Sequence, residues 1–163
     1  MVMSTKQDEH GHGFQLKDLN GNENGALFHA IYFIDEFTGS LLVSRNNPYT
    51  TGFFAEKKED LISSFLSAMN MFINEIKKDG LREEIQEINF KDTRLLYQRK
   101  GRILCIGISN KQDLEVERAL LNKIMNDFYY RFEIQINTFN GVIDPAIQRY
   151  SHELERFLMT TLR

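Results

Sequence analysis

The chain lacks several features that would each have announced a function. It has one cysteine in 163 residues, Cys105, so no internal disulfide can form and a reducing, cytoplasmic setting is expected. No uninterrupted apolar stretch approaches the ~20 residues needed to span a bilayer. The opening MVMSTKQDEH has no apolar centre of the kind a secretory signal carries. An excess of positive charge is also missing: 20 basic side chains stand against 23 acidic ones, and the net −3 gives no electrostatic case for nucleic acid. No GxxxxGKS/T or GxGxxG sequence occurs, so no backbone cradle for nucleotide phosphates is expected. What remains is an ordinary mixture, 42% hydrophobic and 26% charged, which fits one soluble globular domain.

Residues 1–25 hold few apolar side chains and end in a run of Gly and Asn, too little surface to offset the entropy of ordering them. A flexible N-terminal arm over 1–25 and a folded domain over 26–163 are expected. Lys6 and Lys17 against Asp8, Glu9, Asp18 and Glu23 put most of the net charge in the arm, so the body is almost neutral. His10 and His12 fall in the arm with no further ligand at metal-binding spacing and are read as solvated.

From Ala26 the pattern changes. ALFHAIYFID (26–35) is a nearly continuous apolar and aromatic run rich in strand formers. Glu36-Phe37-Thr38-Gly39 supplies a turn, and SLLVSR (40–45) returns as a second strand. Glu59 to Lys78 reads as a helix, with Leu61, Ile62, Phe65, Leu66, Met69, Phe72, Ile73 and Ile76 at three- and four-residue steps, expected to lie on a sheet. Acidic residues at its start, Lys77-Lys78 at its end and Gly80 beyond suit the helix dipole and stop the helix. Three strands follow at 84–90, 93–98 and 102–109. The first and fifth strands are apolar on both faces and so must be central, whereas the polar second and third belong at the edges. Asp113 is placed to cap a helix with the stripe Leu121, Ile124, Phe128 and Phe132. Asp144-Pro145 opens a last helix with the stripe Ile147, Tyr150, Leu154, Phe157 and Thr161 or Leu162. The order β-β-α-β-β-β-α-α, with one helix on one sheet face and two on the other, predicts a three-layer α/β/α sandwich.

Chemistry-bearing residues are few. His29 sits in the first strand beside Leu27, Ile31 and Phe33 and reads as a core residue. Cys105, between Leu104 and Ile106, reads as a buried, inert thiol. Glu83-Glu84 and Glu115/Glu117 read as solvated surface. No catalytic, cofactor-binding or metal residue is assigned, and an enzyme is not expected. The unusual feature is Leu61 to Asn74, which carries no charge, although free helix surfaces are commonly ~25–35% charged. Its non-sheet side, Ser63, Ser64, Ser67, Asn70, Met71 and Asn74, is expected to be a protein interface, since small side chains and a methionine allow close approach. Phe53 and Phe54, leading into that helix, either seal the edge of the sandwich or anchor a partner.

The hairpin AIYFIDEFTGSLLVSR, the helix DLISSFLSAMNMFINEI, the strand run INFKDTRLLYQRKGRILCIGIS, the helix DFYYRF and the proline-started last helix together resemble the longin family, from about Leu27 to Phe157. The likeness lies in apolar spacing, and no functional residue is carried over. It implies a profilin-like fold with a five-stranded antiparallel sheet in the order 2-1-5-4-3. It also implies a non-enzymatic interaction module of the vesicle-trafficking type. Such a module would pair with itself or with a related longin or roadblock subunit, as a platform for a small Ras-like GTPase. It would have no cofactor and would reach membranes only through partners. Two alternatives stand beside this: a heterotypic adaptor small subunit, and a small-ligand sensor of PAS-like architecture using His29, Tyr32, Tyr97 and Cys105.

Overall fold

A computed structural model of the protein describes residues 27–47, 59–77 and 84–159. The strands are β1 (Phe28–Asp35), β2 (Leu41–Asn46), β3 (Glu87–Asn89), β4 (Arg94–Lys100) and β5 (Ile103–Ser109). They form a five-stranded sheet in the order β2-β1-β5-β4-β3, with every neighbouring pair antiparallel. β1 and β5 occupy the centre, as their two-sided apolar character requires: every residue of β5 is buried. The edge strand β3 spans three residues against the seven expected, although the Gln86 carbonyl just before it still accepts the Tyr97 N–H of β4 at 3.1 Å.

The sheet separates two apolar layers. On one face Phe28, Ile31, Phe33, Leu96, Ile103 and Cys105 pack against the C-terminal helices. On the other Ala30, Tyr32, Ile34, Leu95, Tyr97, Leu104, Ile106 and Ile108 form the second layer with Leu66 of helix α1 (Glu59–Lys77). Helices on both faces make the three-layer sandwich.

Within β1, Phe28 and Ile31 share a face although strict alternation would oppose them. The reason is a bulge: Phe28 pairs with Ser109 and Ala30 with Ile108, so His29 is the extra residue and the side-chain phase reverses across it. His29 is half-buried there and hydrogen-bonds Asn110. It is a bulge residue rather than the core residue expected.

Helix α2 (Leu114–Arg131) starts at Asp113, whose carboxylate accepts the Val116 N–H at 3.0 Å. Its stripe Leu121, Ile124 and Phe128 is fully buried. Phe132 joins that stripe but ends the helix, and a short helix α3 (Glu133–Asn137) follows. Asp144 caps α4 (Pro145–Arg149) by accepting the Ala146 N–H at 2.8 Å, with the proline at the first turn. The last helix is not continuous. It breaks at Tyr150, and α5 (Ser151–Met159) completes it. Tyr150 is held across the layer by its hydroxyl, which donates to Asp127 at 2.6 Å, and it meets the rings of Phe33, Phe128 and Phe132. Leu158 is fully buried in α5, while Phe157 is only half-buried. Thr161 and Leu162 lie outside the described residues.

Candidate functional site

Helix α1 meets the sheet through Leu66, which is buried. At 100° per residue, Phe65 and Phe72 lie about 100–120° round the helix from Leu66 in one sense, and Ser67 and Asn74 about 80–100° in the other. Two flanks therefore stand at the level of the sheet surface, and Ser64, Ala68, Met71 and Glu75 point outward between them. The expectation that Phe65 and Phe72 would face the sheet is corrected: they are 45% and 61% exposed. Leu66 joins the layer made by Ile34, Leu104 and Ile106, while the side chains of Leu61, Ile62, Ile73 and Ile76 lie outside the described residues. Met71 is 72% exposed. Among the described side chains of α1, Glu75 is the single charged one.

Of the six interface residues expected from the sequence, Ser64, Met71 and Asn74 are exposed. Ser67 is half-buried and belongs to a flank, where its hydroxyl oxygen lies 3.9 Å from the position a Cβ would take on Gly39. The side chains of Ser63 and Asn70, and Phe53 and Phe54 entirely, lie outside the described residues, as do the N-terminal arm and its His10 and His12.

The Ser67 flank borders a groove of about 310 Å³ between α1 and the β1–β2 turn. Ile34, Leu66 and Leu104 form its apolar floor, Phe37 and Met71 its rim, and Ser67 and Asn74 its helical wall. The turn itself is tightly built. Asp35 is buried and accepts the Thr38 N–H at 2.9 Å and the Thr38 hydroxyl at 2.6 Å, while its backbone oxygen accepts the Gly39 N–H at 2.7 Å. Gly39 takes φ +73, a left-handed conformation that favours glycine. Burial pushes the Asp35 carboxyl up, but hydrogen bonds from Arg102 and Thr38 outweigh it and hold the group below the usual carboxylate range. Beside it, Arg99 donates from Nε to Glu36 at 2.8 Å and from Nη1 to the Ile85 carbonyl at 3.1 Å. Phe37, at the tip, is 79% exposed and lies over the Arg102 guanidinium at 4.7 Å.

The four residues considered for a ligand-sensing cavity do not converge. Cys105 belongs to the layer under the C-terminal helices, Tyr32 and Tyr97 belong to the opposite layer, and His29 sits at the bulge. Tyr32 donates to Asn46 at 3.2 Å. Burial pushes the Tyr97 phenol up to about 12, and its hydroxyl has no hydrogen-bond partner among the described residues. Burial likewise raises the Cys105 thiol well above its ordinary range and lowers the His29 imidazole.

Sequence reasoning missed Glu117, expected on a solvated surface. It is fully buried, accepting from the Asp113 backbone N–H at 2.9 Å and from Arg94 Nη1 at 3.3 Å. The spacing Asp113 to Glu117, with Arg94 at the head of β4, was the available signal for a reciprocal cap. Glu115 is exposed, as expected. Among the described residues no group of three or more His, Cys, Asp or Glu is placed to hold a metal ion, and no helix is long and apolar enough to cross a membrane. No protein-family model matches the chain, and no curated protein matches it by sequence.

Proposed function

We propose that the chain is a non-catalytic protein-interaction module that pairs through α1, and that the pair forms a platform for a small Ras-like GTPase or a trafficking-type assembly. The observation that carries the pairing is the exposure of Phe65, Met71 and Phe72 on one helix. Leaving three large apolar side chains in water on neighbouring turns costs about 25 cal/mol per Å² of apolar surface that a partner would cover. Uncharged Ser64, Ala68 and Asn74 lie beside them, and Glu75 is the single charge among the described side chains of the helix. The longin resemblance supplies the client, a small Ras-like GTPase or a trafficking-type assembly. That step rests on fold-level likeness.

Light scattering on the size-fractionated chain, over a range of concentrations, tests the pairing. A species near twice 19.1 kDa is expected, and Ala68→Glu with Phe72→Glu should return it to the single-chain mass with the fold intact. A single-chain mass at every concentration would replace self-pairing with the heterotypic reading, in which a related subunit covers α1.

A further inference from the structure

We infer that Asn140 is a self-modifying site: its side-chain amide closes onto the backbone nitrogen of Gly141 and reopens as aspartate or isoaspartate, with water as the only co-reactant. The inference concerns the loop between α3 and α4 and is independent of the pairing through α1.

The N–H that follows an asparagine decides whether it can react, because that nitrogen must leave any hydrogen bond and lose its proton before it attacks. After Asn46, the Asn47 N–H is held by the His29 carbonyl at 2.6 Å. The Phe90 N–H after Asn89 donates to the Thr93 carbonyl at 2.8 Å, and the Thr138 N–H after Asn137 to the Ile134 carbonyl at 3.1 Å. The Lys111 N–H after Asn110 donates to the Ser109 hydroxyl at 3.3 Å. Asn47 precedes a proline, which has no N–H, and the asparagines inside α1 and α2 precede N–H groups of the helical ladder. Asn140 differs. Among the described residues nothing accepts the Gly141 N–H. Asn140 and Gly141 are exposed, and a Cβ at Gly141 would meet no atom within 4 Å, so the nitrogen stands open.

The Asn140 side chain is already turned toward that nitrogen. Its Oδ1 accepts the Val142 N–H at 3.3 Å, a contact two residues along the chain that folds the amide carbon Cγ back over the intervening peptide. The same N–H faces the oxygen on which negative charge gathers during attack. Gly141, at φ +105, brings no side chain to obstruct ring closure. In the step, the Gly141 nitrogen gives its proton to solvent base and bonds to Cγ. The bond from Cγ to Nδ2 breaks, and that nitrogen leaves as ammonia with a proton from water. The five-membered imide then takes up one water. Opening at Cγ yields aspartate, and opening at the Asn140 backbone carbon yields isoaspartate, with no change of oxidation state. Either product takes the formal net charge from −3 to −4. Isoaspartate also lengthens the backbone between Phe139 and Ile143, both packed against the core under the C-terminal helices.

The test follows the full chain at pH 8 in oxygen-18 water, native and in urea, by mass spectrometry of the tryptic peptide 132–149, which holds both Asn137 and Asn140. Asn20-Gly21 and Asn24-Gly25 fall in a different peptide, 18–45, so their reaction is read separately. The native chain should take one oxygen-18 atom into residue 140, as a mixture of aspartate and isoaspartate, at least as fast as the chain in urea. Asn137, whose following N–H must first open, should lag by about tenfold or more. Asn140→Gln, which would have to close a larger ring, should leave residue 140 unlabelled over the same period. Slower labelling in the native chain than in urea, label at Asn137 to the same extent, or aspartate without isoaspartate would overturn the assignment. So would labelling of peptide 132–149 in the Gln variant at the parent rate.

Discussion

Asp35 and Arg102 close the sheet at one end: Arg102, in the β4–β5 turn, donates from Nε to one carboxylate oxygen of Asp35 and from Nη2 to the other at 2.9 Å. The pair is bidentate, joins the end of β1 to the start of β5, and leaves Asp35 only 1% exposed. Arg102→Met leaves that carboxylate buried with only Thr38 to satisfy it. A loss of about 3–5 kcal/mol is expected in urea unfolding. Adding Asp35→Asn to the same chain should recover part of it, since the stranded charge is then gone.

Two buried acids should give the stability curve opposite slopes. Asp35 has its folded value below the ordinary 3.8, so its contribution is present at neutral pH and is lost as pH falls through the folded value. Glu117 has its folded value above the ordinary 4.5, first through burial and only partly offset by Ser109, Arg94 and the Asp113 N–H. Its ionisation therefore opposes folding as pH rises. Relative to the parent chain, Asp35→Asn should be less stable at pH 7 than at pH 3, and Glu117→Gln more stable at pH 7 than at pH 3. Denaturation midpoints at the two pH values read both signs, and slopes of the same sign would contradict the assignment.

Gly107 is fixed by a close approach. A Cβ there would lie 2.7 Å from Phe28 Cε1 and 3.0 Å from Leu121 Cδ1. Gly107→Ala must push apart the β1 bulge and α2, and a loss of about 1–3 kcal/mol is expected. Phe28→Leu in the same chain should relieve some of it, which a double-mutant cycle would report.

Cys105 should resist thiol reagents in the native state. It is fully buried between the sheet and the C-terminal helices, and burial keeps the thiol protonated. Ellman's reagent should react with it only at the rate of global unfolding, and a fast stoichiometric reaction without denaturant would show that this layer opens.

Much of this architecture was legible from the residues. Two-sided apolar character placed β1 and β5 in the centre, and Gly39 and Gly101, at φ +73 and +57, marked two of the three hairpin turns. Asp113 and Asp144-Pro145 cap as written. The bulge at His29 was not legible, because in a run apolar on both faces a reversal of phase leaves no trace in the composition. The exposure of Phe65 and Phe72 was hidden for a related reason: eight apolar positions spread broadly round α1 allow several docking rotations, and the pattern alone does not choose the one that buries Leu66 and exposes these two rings. Glu117 escaped because a buried acid looks like a surface one until its partner Arg94, on another element, is known to face it.

The placement of β5 between β1 and β4 has a consequence for synthesis. β1 and β2 emerge from the ribosome as a hairpin, yet the inner edge of β1 has no strand to join until Ile103–Ser109 has been made. Until then an apolar ridge with open backbone groups waits in solution, the kind of edge that recruits other chains. A product stopped before Ile103 keeps that edge permanently, so truncated chains should aggregate where the full chain does not. The N-terminal hairpin is then the natural place for a chaperone to engage this protein during its translation.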